Sequence, residues 1–147
     1  MKKLTKKSKV INLGCRLNFF ESEIIENILK KEKDVSKVVI NTCAVTNNAV
    51  QKSIYAVKKA LKDFPNSEVI VTGCASQVEK NRFENLGHIS KIVDNKLKTN
   101  PNSYISEDWV HEQTFNFPSI DYLSTQRTRA MLQIQQGCNH RCTFCII

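Results

Sequence analysis

Three times between Ser8 and Asn85 a short apolar run is followed at once by a cysteine and then by apolar residues at helical spacing. Few folds accept that order. Val10, Ile11 and Leu13 precede Cys15, Val38-Val39-Ile40 precede Cys43, and Val69-Ile70-Val71 precede Gly73-Cys74. Continuous β-branched runs without polar alternation belong to strands covered on both faces, as in a parallel sheet. Expected strands are Ser8 to Leu13, Lys37 to Asn41 and Glu68 to Thr72, with a fourth strand-like piece from Ile89 to Val93.

The helices between them can be placed by periodicity and stop signals. Ile24, Ile25, Ile28 and Leu29 mark a helix of about four turns, which Asn18 would cap with Glu21 completing a capping-box-like pair and which ends near Lys30–Lys33. Val50, Ile54, Val57 and Leu61 form the stripe of a second helix, ended by Pro65-Asn66. A third, shorter helix runs from about Ser76 to Asn85. The expected fold class is therefore α/β, an open, mostly parallel sheet with flanking helices, flavodoxin- or Rossmann-like. Right-handed crossovers in such a sheet would bring Cys15, Cys43 and Cys74 to its carboxyl edge, where open α/β sheets hold ligands.

Separations of 28 and 31 residues exclude a local metal-finger motif. Closing each such loop in a flexible chain would cost about 3 kcal/mol from length alone, a cost the sheet meets before any ligand binds. Taken singly, each cysteine reads as a small core residue; their shared placement favours a common site, with iron-sulfur, zinc or redox chemistry open. Six cysteines in a chain whose basic start, Met1 to Lys7, lacks the apolar stretch of a secretory signal point away from disulfides and toward a cytoplasmic location. No apolar run approaches the roughly 20 residues of a membrane span.

The other three cysteines crowd into Cys138-x3-Cys142-x2-Cys145. Three thiolates leave one coordination position free, which suits an iron-sulfur cluster with one open iron. A zinc knuckle would need a fourth ligand, and His140 sits awkwardly between the first two cysteines; plain buried thiols are the third reading. The preceding stretch Arg129 to Gln136 alternates like a strand, with Ala130, Leu132 and Ile134 on one face. Residues 100–125, rich in Asn and Ser with Tyr104, Trp109, Phe115, Phe117 and Tyr122, read as a connection that packs on something.

Charge adds a permission and no proof. The net charge of +8 lies in the first two thirds of the chain, and either a solvated basic face or a polyanion partner would explain it. Lys58, Lys59 and Lys62 fall on the polar side of the second helix; Arg127, Arg129 and Arg141 flank the last strand and loop, where phosphate contacts and structural salt bridges are equally compatible. His88 and His111 have no partner pattern.

With these residues in view, the chain resembles the radical S-adenosylmethionine methylthiotransferases. The resemblance is carried by Leu13-Gly14-Cys15-Arg16-Leu17-Asn18, Asn41-Thr42-Cys43-Ala44-Val45-Thr46, Val71-Thr72-Gly73-Cys74-Ala75-Ser76-Gln77 and the run from Arg129 to Cys145. It implies an N-terminal methylthiotransferase domain over residues 1–98, an interdomain linker over 99–126, and over 127–147 the first strand of a truncated radical S-adenosylmethionine barrel. By the same resemblance Cys138, Cys142 and Cys145 hold a 4Fe-4S cluster that chelates S-adenosylmethionine, with Phe144 beside the adenine, and reduction yields a 5′-deoxyadenosyl radical. Cys15, Cys43 and Cys74 match the ligands of a second, auxiliary 4Fe-4S cluster that carries the sulfur to be inserted.

Glu21-Ser22-Glu23, Cys43 to Ala49 and Lys52-Ser53 look like the branch acting on N6-threonylcarbamoyladenosine, beside the anticodon of tRNA. The isopentenyladenosine branch and the branch modifying an aspartate of a ribosomal protein are the alternatives within the family. From another class comes a non-catalytic iron-sulfur or metal-binding module. The resemblance further implies a tRNA partner, an electron donor such as a flavodoxin or ferredoxin, a monomer, no membrane, and a chain inactive by itself because the barrel stops at Ile147.

Overall fold

A computed structural model describes residues 8–31, 35–105, 131, 133–135 and 137–145. Four parallel strands form one sheet in the order β1 (Lys9–Asn12), β2 (Lys37–Thr42), β3 (Glu68–Gly73) and β4 (Lys91–Ile92). Between them lie α1 (Arg16–Lys31), α2 (Asn47–Asp63), and the short pair α3 (Cys74–Val78) and α4 (Lys80–Glu84); α5 (Asn102–Ile105) follows. The expected open α/β architecture is present, and the strand positions agree within about two residues.

Register explains why both faces need a cover. Val10, Val39 and Ile70 pair across β1, β2 and β3 and pack with Phe20, Ile24, Ile25, Ile28 and Leu29 of α1. One residue on, Ile11, Ile40 and Val71 point to the other face, with Val50, Val57 and Ala60 of α2 and Phe83 of α4. Strand β2 is buried along its whole length, as its unbroken apolar run requires. Because neighbouring strands follow chain order while α1 and α2 lie on opposite faces, their two crossovers have opposite hands. The uniform right-handedness expected from sequence is thus not observed. The strand-to-helix loops share an edge because the strands are parallel, and that does not depend on crossover hand.

Several local expectations are corrected. Asn18 does not cap α1: the helix begins at Arg16, and Asn18 is buried inside it with its side-chain amide donating to the Thr42 carbonyl at 2.8 Å. Glu21 is fully buried and ion-paired with Lys98, so it makes no capping box. The single helix expected from Ser76 to Asn85 is broken at Glu79 into α3 and α4. Helix α2 does start on a side-chain cap, where Thr46 Oγ1 accepts from the Ala49 amide at 3.1 Å.

The connection beyond β4 turns back onto the sheet. Tyr104 of α5 is buried against the α1 face, so the chain still packs on this core past the expected boundary at residue 98. Most of the expected linker, with Trp109, His111, Phe115, Phe117, Tyr122 and Arg127, lies outside the described residues. Of the strand expected over Arg129 to Gln136, Met131 and Gln133 to Gln135 are described and have no regular secondary structure, while Arg129, Ala130, Leu132 and Gln136 lie outside. Among the described residues, no helix is long and apolar enough to cross a membrane.

Phe83 is 0% exposed and anchors α4 to the α2 face of the sheet. Phe83→Ala should cost roughly 3–5 kcal/mol of stability, read as a lower urea midpoint, whereas Tyr55→Ala at a 68% exposed position of α2 should change it little.

Candidate functional site at the carboxyl edge of the sheet

Each of the first three cysteines stands where a strand has ended and a helix is about to begin. Cys15 precedes the first residue of α1, Cys43 follows β2 by one residue, and Cys74 is the first residue of α3. All three therefore occupy one edge. The positive ends of α1 and α2 point toward that edge and favour ionised sulfur there.

A buried polar network beneath the loops fixes them to one another. Asn18 donates to the carbonyl of Thr42, the residue before Cys43, and Asn41 donates to the Asn18 carbonyl at 2.9 Å and to Ser22 Oγ at 3.2 Å. Thr42 Oγ1 donates to the Thr72 carbonyl at 2.7 Å and accepts from the Ser76 amide at 3.2 Å, tying the second loop to the third. The Cys43 amide donates to Ser53 Oγ at 3.3 Å, and the Leu13 amide donates to the Asn41 carbonyl at 3.0 Å.

Two glycines permit the close approach. At Gly14 a Cβ would run into the Asn18 side chain. Gly73, with φ of 100°, leaves room for a Cβ neither sterically, against the Thr42 backbone, nor conformationally. Each glycine immediately precedes a site cysteine, so the third loop and the first can close on the second.

The three thiols differ in environment. Cys15 is exposed, Cys43 buried and Cys74 half-buried, and none is in a disulfide. Burial pushes the Cys74 thiol up from its ordinary value; the charge of Lys98 and a hydrogen bond from Asn95 pull it down, and Cys43 and Cys15 add to the rise. That mutual effect places the three sulfurs within one electrostatic neighbourhood. Yet among the described residues no three His, Cys, Asp or Glu side chains are gathered to hold a metal ion. Sulfur-only donors ringed around a space are compatible with a cluster, whose irons are spread apart, better than with one tetrahedral ion that needs every sulfur at about 2.3 Å.

The second set, Cys138, Cys142 and Cys145, forms an exposed turn. The Cys145 amide donates to the Cys142 carbonyl at 3.1 Å, and the His140 amide donates to Cys138 Sγ at 3.4 Å. Phe144 is 90% exposed, and Arg141 is exposed beside it. His88 stands on the surface with φ of 53°.

Sequence reasoning missed Lys98 and Asn95. They follow β4 and return to the edge by a turn in which the Val93 amide donates to the Val71 carbonyl at 2.8 Å. Nothing local marks them; an isolated lysine after a weak strand reads as surface. Asn41 and Thr42 stood in plain view before Cys43, but their bracing role needs the neighbouring loops to be seen.

In the metal-free chain, alkylation by iodoacetamide at pH 8 should modify Cys15 first, Cys74 more slowly and Cys43 last among these three, as resolved by peptide mass spectrometry. Equal rates in the absence of denaturant would contradict this placement.

Comparison with known proteins agrees with this arrangement. Residues 7–94 match the uncharacterized protein family UPF0004. The chain is similar to the threonylcarbamoyladenosine tRNA methylthiotransferase MtaB of Rickettsia prowazekii, 34% identical over 96% of this chain and 35% of the relative. It is also similar to the protein of that name from Bacillus subtilis, 33% identical over 92% of this chain and 34% of the relative. The ribosomal protein uS12 methylthiotransferase RimO of Shigella flexneri is 35% identical over 100% of this chain and 36% of its own length. The chain thus spans about a third of the length of these curated relatives.

Proposed function

The chain belongs to the methylthiotransferase family with the UPF0004 domain, and from that premise we propose that it works in a tRNA methylthiotransferase that adds a methylthio group at carbon 2 of N6-threonylcarbamoyladenosine, next to the anticodon. The observation that carries the proposal is the convergence of Cys15, Cys43 and Cys74, from three separate loops, on one sheet edge. In this reading they ligate an auxiliary 4Fe-4S cluster, while Cys138, Cys142 and Cys145 ligate a second one that binds S-adenosylmethionine, with Phe144 beside the adenine. When bound, these groups would supply reductive cleavage of S-adenosylmethionine and an iron that holds the sulfur to be inserted.

The protein's own share is to hold and ionise the donors. Helix N-termini and the Lys98 ammonium favour thiolates at the sheet edge, and the Asn18, Asn41 and Thr42 hydrogen bonds fix loop spacing before anything binds. Residues 1–98 would form the methylthiotransferase domain, 99–126 a connection, and 127–147 the opening of the radical domain. Reducing equivalents would come from a one-electron donor such as a flavodoxin or ferredoxin. The exposed lysines of α2, Lys52, Lys58, Lys59 and Lys62, and the net charge of +8 suit an RNA substrate in a cytoplasmic setting.

A second reading has its own observation. The uS12 methylthiotransferase matches the whole chain at 35% identity, so an aspartate of that ribosomal protein is the competing substrate. Deleting the gene and digesting total tRNA to nucleosides distinguishes them. Loss of the methylthio form of N6-threonylcarbamoyladenosine is the expected result; an unchanged nucleoside profile with loss of the mark on uS12 would overturn the tRNA assignment.

A further inference from the structure

A buried ion pair lies beside the three-thiol edge, and neither the family match nor the fold accounts for it. Lys98 Nζ stands 2.5 Å from Glu21 Oε2, with the two side chains 3% and 0% exposed. Taking two charges out of water costs several kcal/mol per ion, and an apolar pair of similar volume often serves stability as well or better. A pair kept at this depth therefore calls for a use other than stability.

Its placement supplies one. Glu21 is on α1, one turn beyond Asn18, within the polar network that ties the cysteine loops together. Lys98 arrives from the far side of the sheet, its carbonyl accepting a 2.6 Å hydrogen bond from the Tyr104 hydroxyl, which fixes the backbone there. The charge of Lys98 reaches the Cys74 sulfur and favours its ionised form. Burial pushes the Glu21 carboxyl up, against the opposing pull of Lys98 and a hydrogen bond from Asn41, so within the pair the negative partner holds its charge less firmly. The pair leans positive toward three sulfur donors that become negative when they ligate.

We infer that Lys98, held by Glu21, is a positioning residue for the three-thiol site: its ammonium is the counter-charge that keeps the sulfur donors ionised and, with a cluster loaded, favours the reduced state. The part concerning the loaded cluster rests on the proposed function; the part concerning the thiols stands without it.

Two readouts test it on the 147-residue chain. In the metal-free protein, the pH profile of Cys74 alkylation should move upward in Lys98→Met, leaving about tenfold less thiolate at pH 8 for a one-unit move. Glu21→Gln should move it downward, and the double variant should lie near wild type. After anaerobic reconstitution with ferrous iron and sulfide, in a background lacking Cys138, Cys142 and Cys145, Lys98→Met should make the cluster harder to reduce. About a tenfold change in the reduction equilibrium, 59 mV for a one-electron couple, is the expected size, with Glu21→Gln again moving the other way.

A merely structural pair would shift both single variants in the same direction, or shift neither while circular dichroism shows them folded, and either result overturns the inference. If Lys98→Met does not fold, Glu21→Gln compared with the double variant isolates the same charge and decides the question. Should the wild-type chain load no cluster on Cys15, Cys43 and Cys74, the cluster reading fails, and the alkylation profiles alone decide for or against Lys98.

Discussion

Parallel pairing of β2 with both β1 and β3 is the constraint from which the site follows. Six residues of β2 pair in register with β3 and four with β1, so the three strands end at one level. The residue after each strand end is then held at the same edge whatever the length or face of the intervening helix. Cys15, Cys43 and Cys74 are assembled by backbone hydrogen bonds and by apolar burial on both faces of β2. No contact among the sulfurs is needed to bring them together. A ligand that binds there meets donors already arranged, and little of its binding energy is spent on ordering chain.

Edge placement alone would leave the loops free to differ in height and direction. Side-chain hydrogen bonds remove that freedom. Asn18 reaches from α1 to the Thr42 carbonyl, Thr42 reaches to the third loop, and Gly14 and Gly73 allow backbone and side chain to come closer than any Cβ would permit. These groups are buried, so each unmade bond would carry a desolvation penalty of roughly 1–3 kcal/mol. The network is thus a register mark for the loops, and Lys98 with Glu21 adds charge to a region otherwise lined by neutral groups.

Much of this was legible in the sequence because apolar period and strand-ending glycines are local signals. Val38-Val39-Ile40 and Val69-Ile70-Val71 announce doubly covered strands, and the structure buries them so. Asn18 and Glu21 misled for an identifiable reason: their spacing mimics a capping box, but burial under the sheet edge gave both side chains tertiary partners that outweigh a cap. Crossover hand was misjudged because periodicity tells which residues of a helix are buried, and not which face of the sheet buries them. Lys98 was invisible, since its partner lies 77 residues earlier and no periodic pattern spans that distance. Cys138, Cys142 and Cys145 were conspicuous by spacing alone, and their described neighbourhood is an exposed turn.

The central claim is that three distant loops build one thiolate site. Iron and acid-labile sulfide per chain, counted after anaerobic reconstitution of the variant lacking Cys138, Cys142 and Cys145, tests it most directly. The account predicts about four of each, with all of it lost on Cys15→Ser, Cys43→Ser or Cys74→Ser alone. Tightly bound zinc in place of iron, or iron retained when any one of the three is replaced, would contradict it.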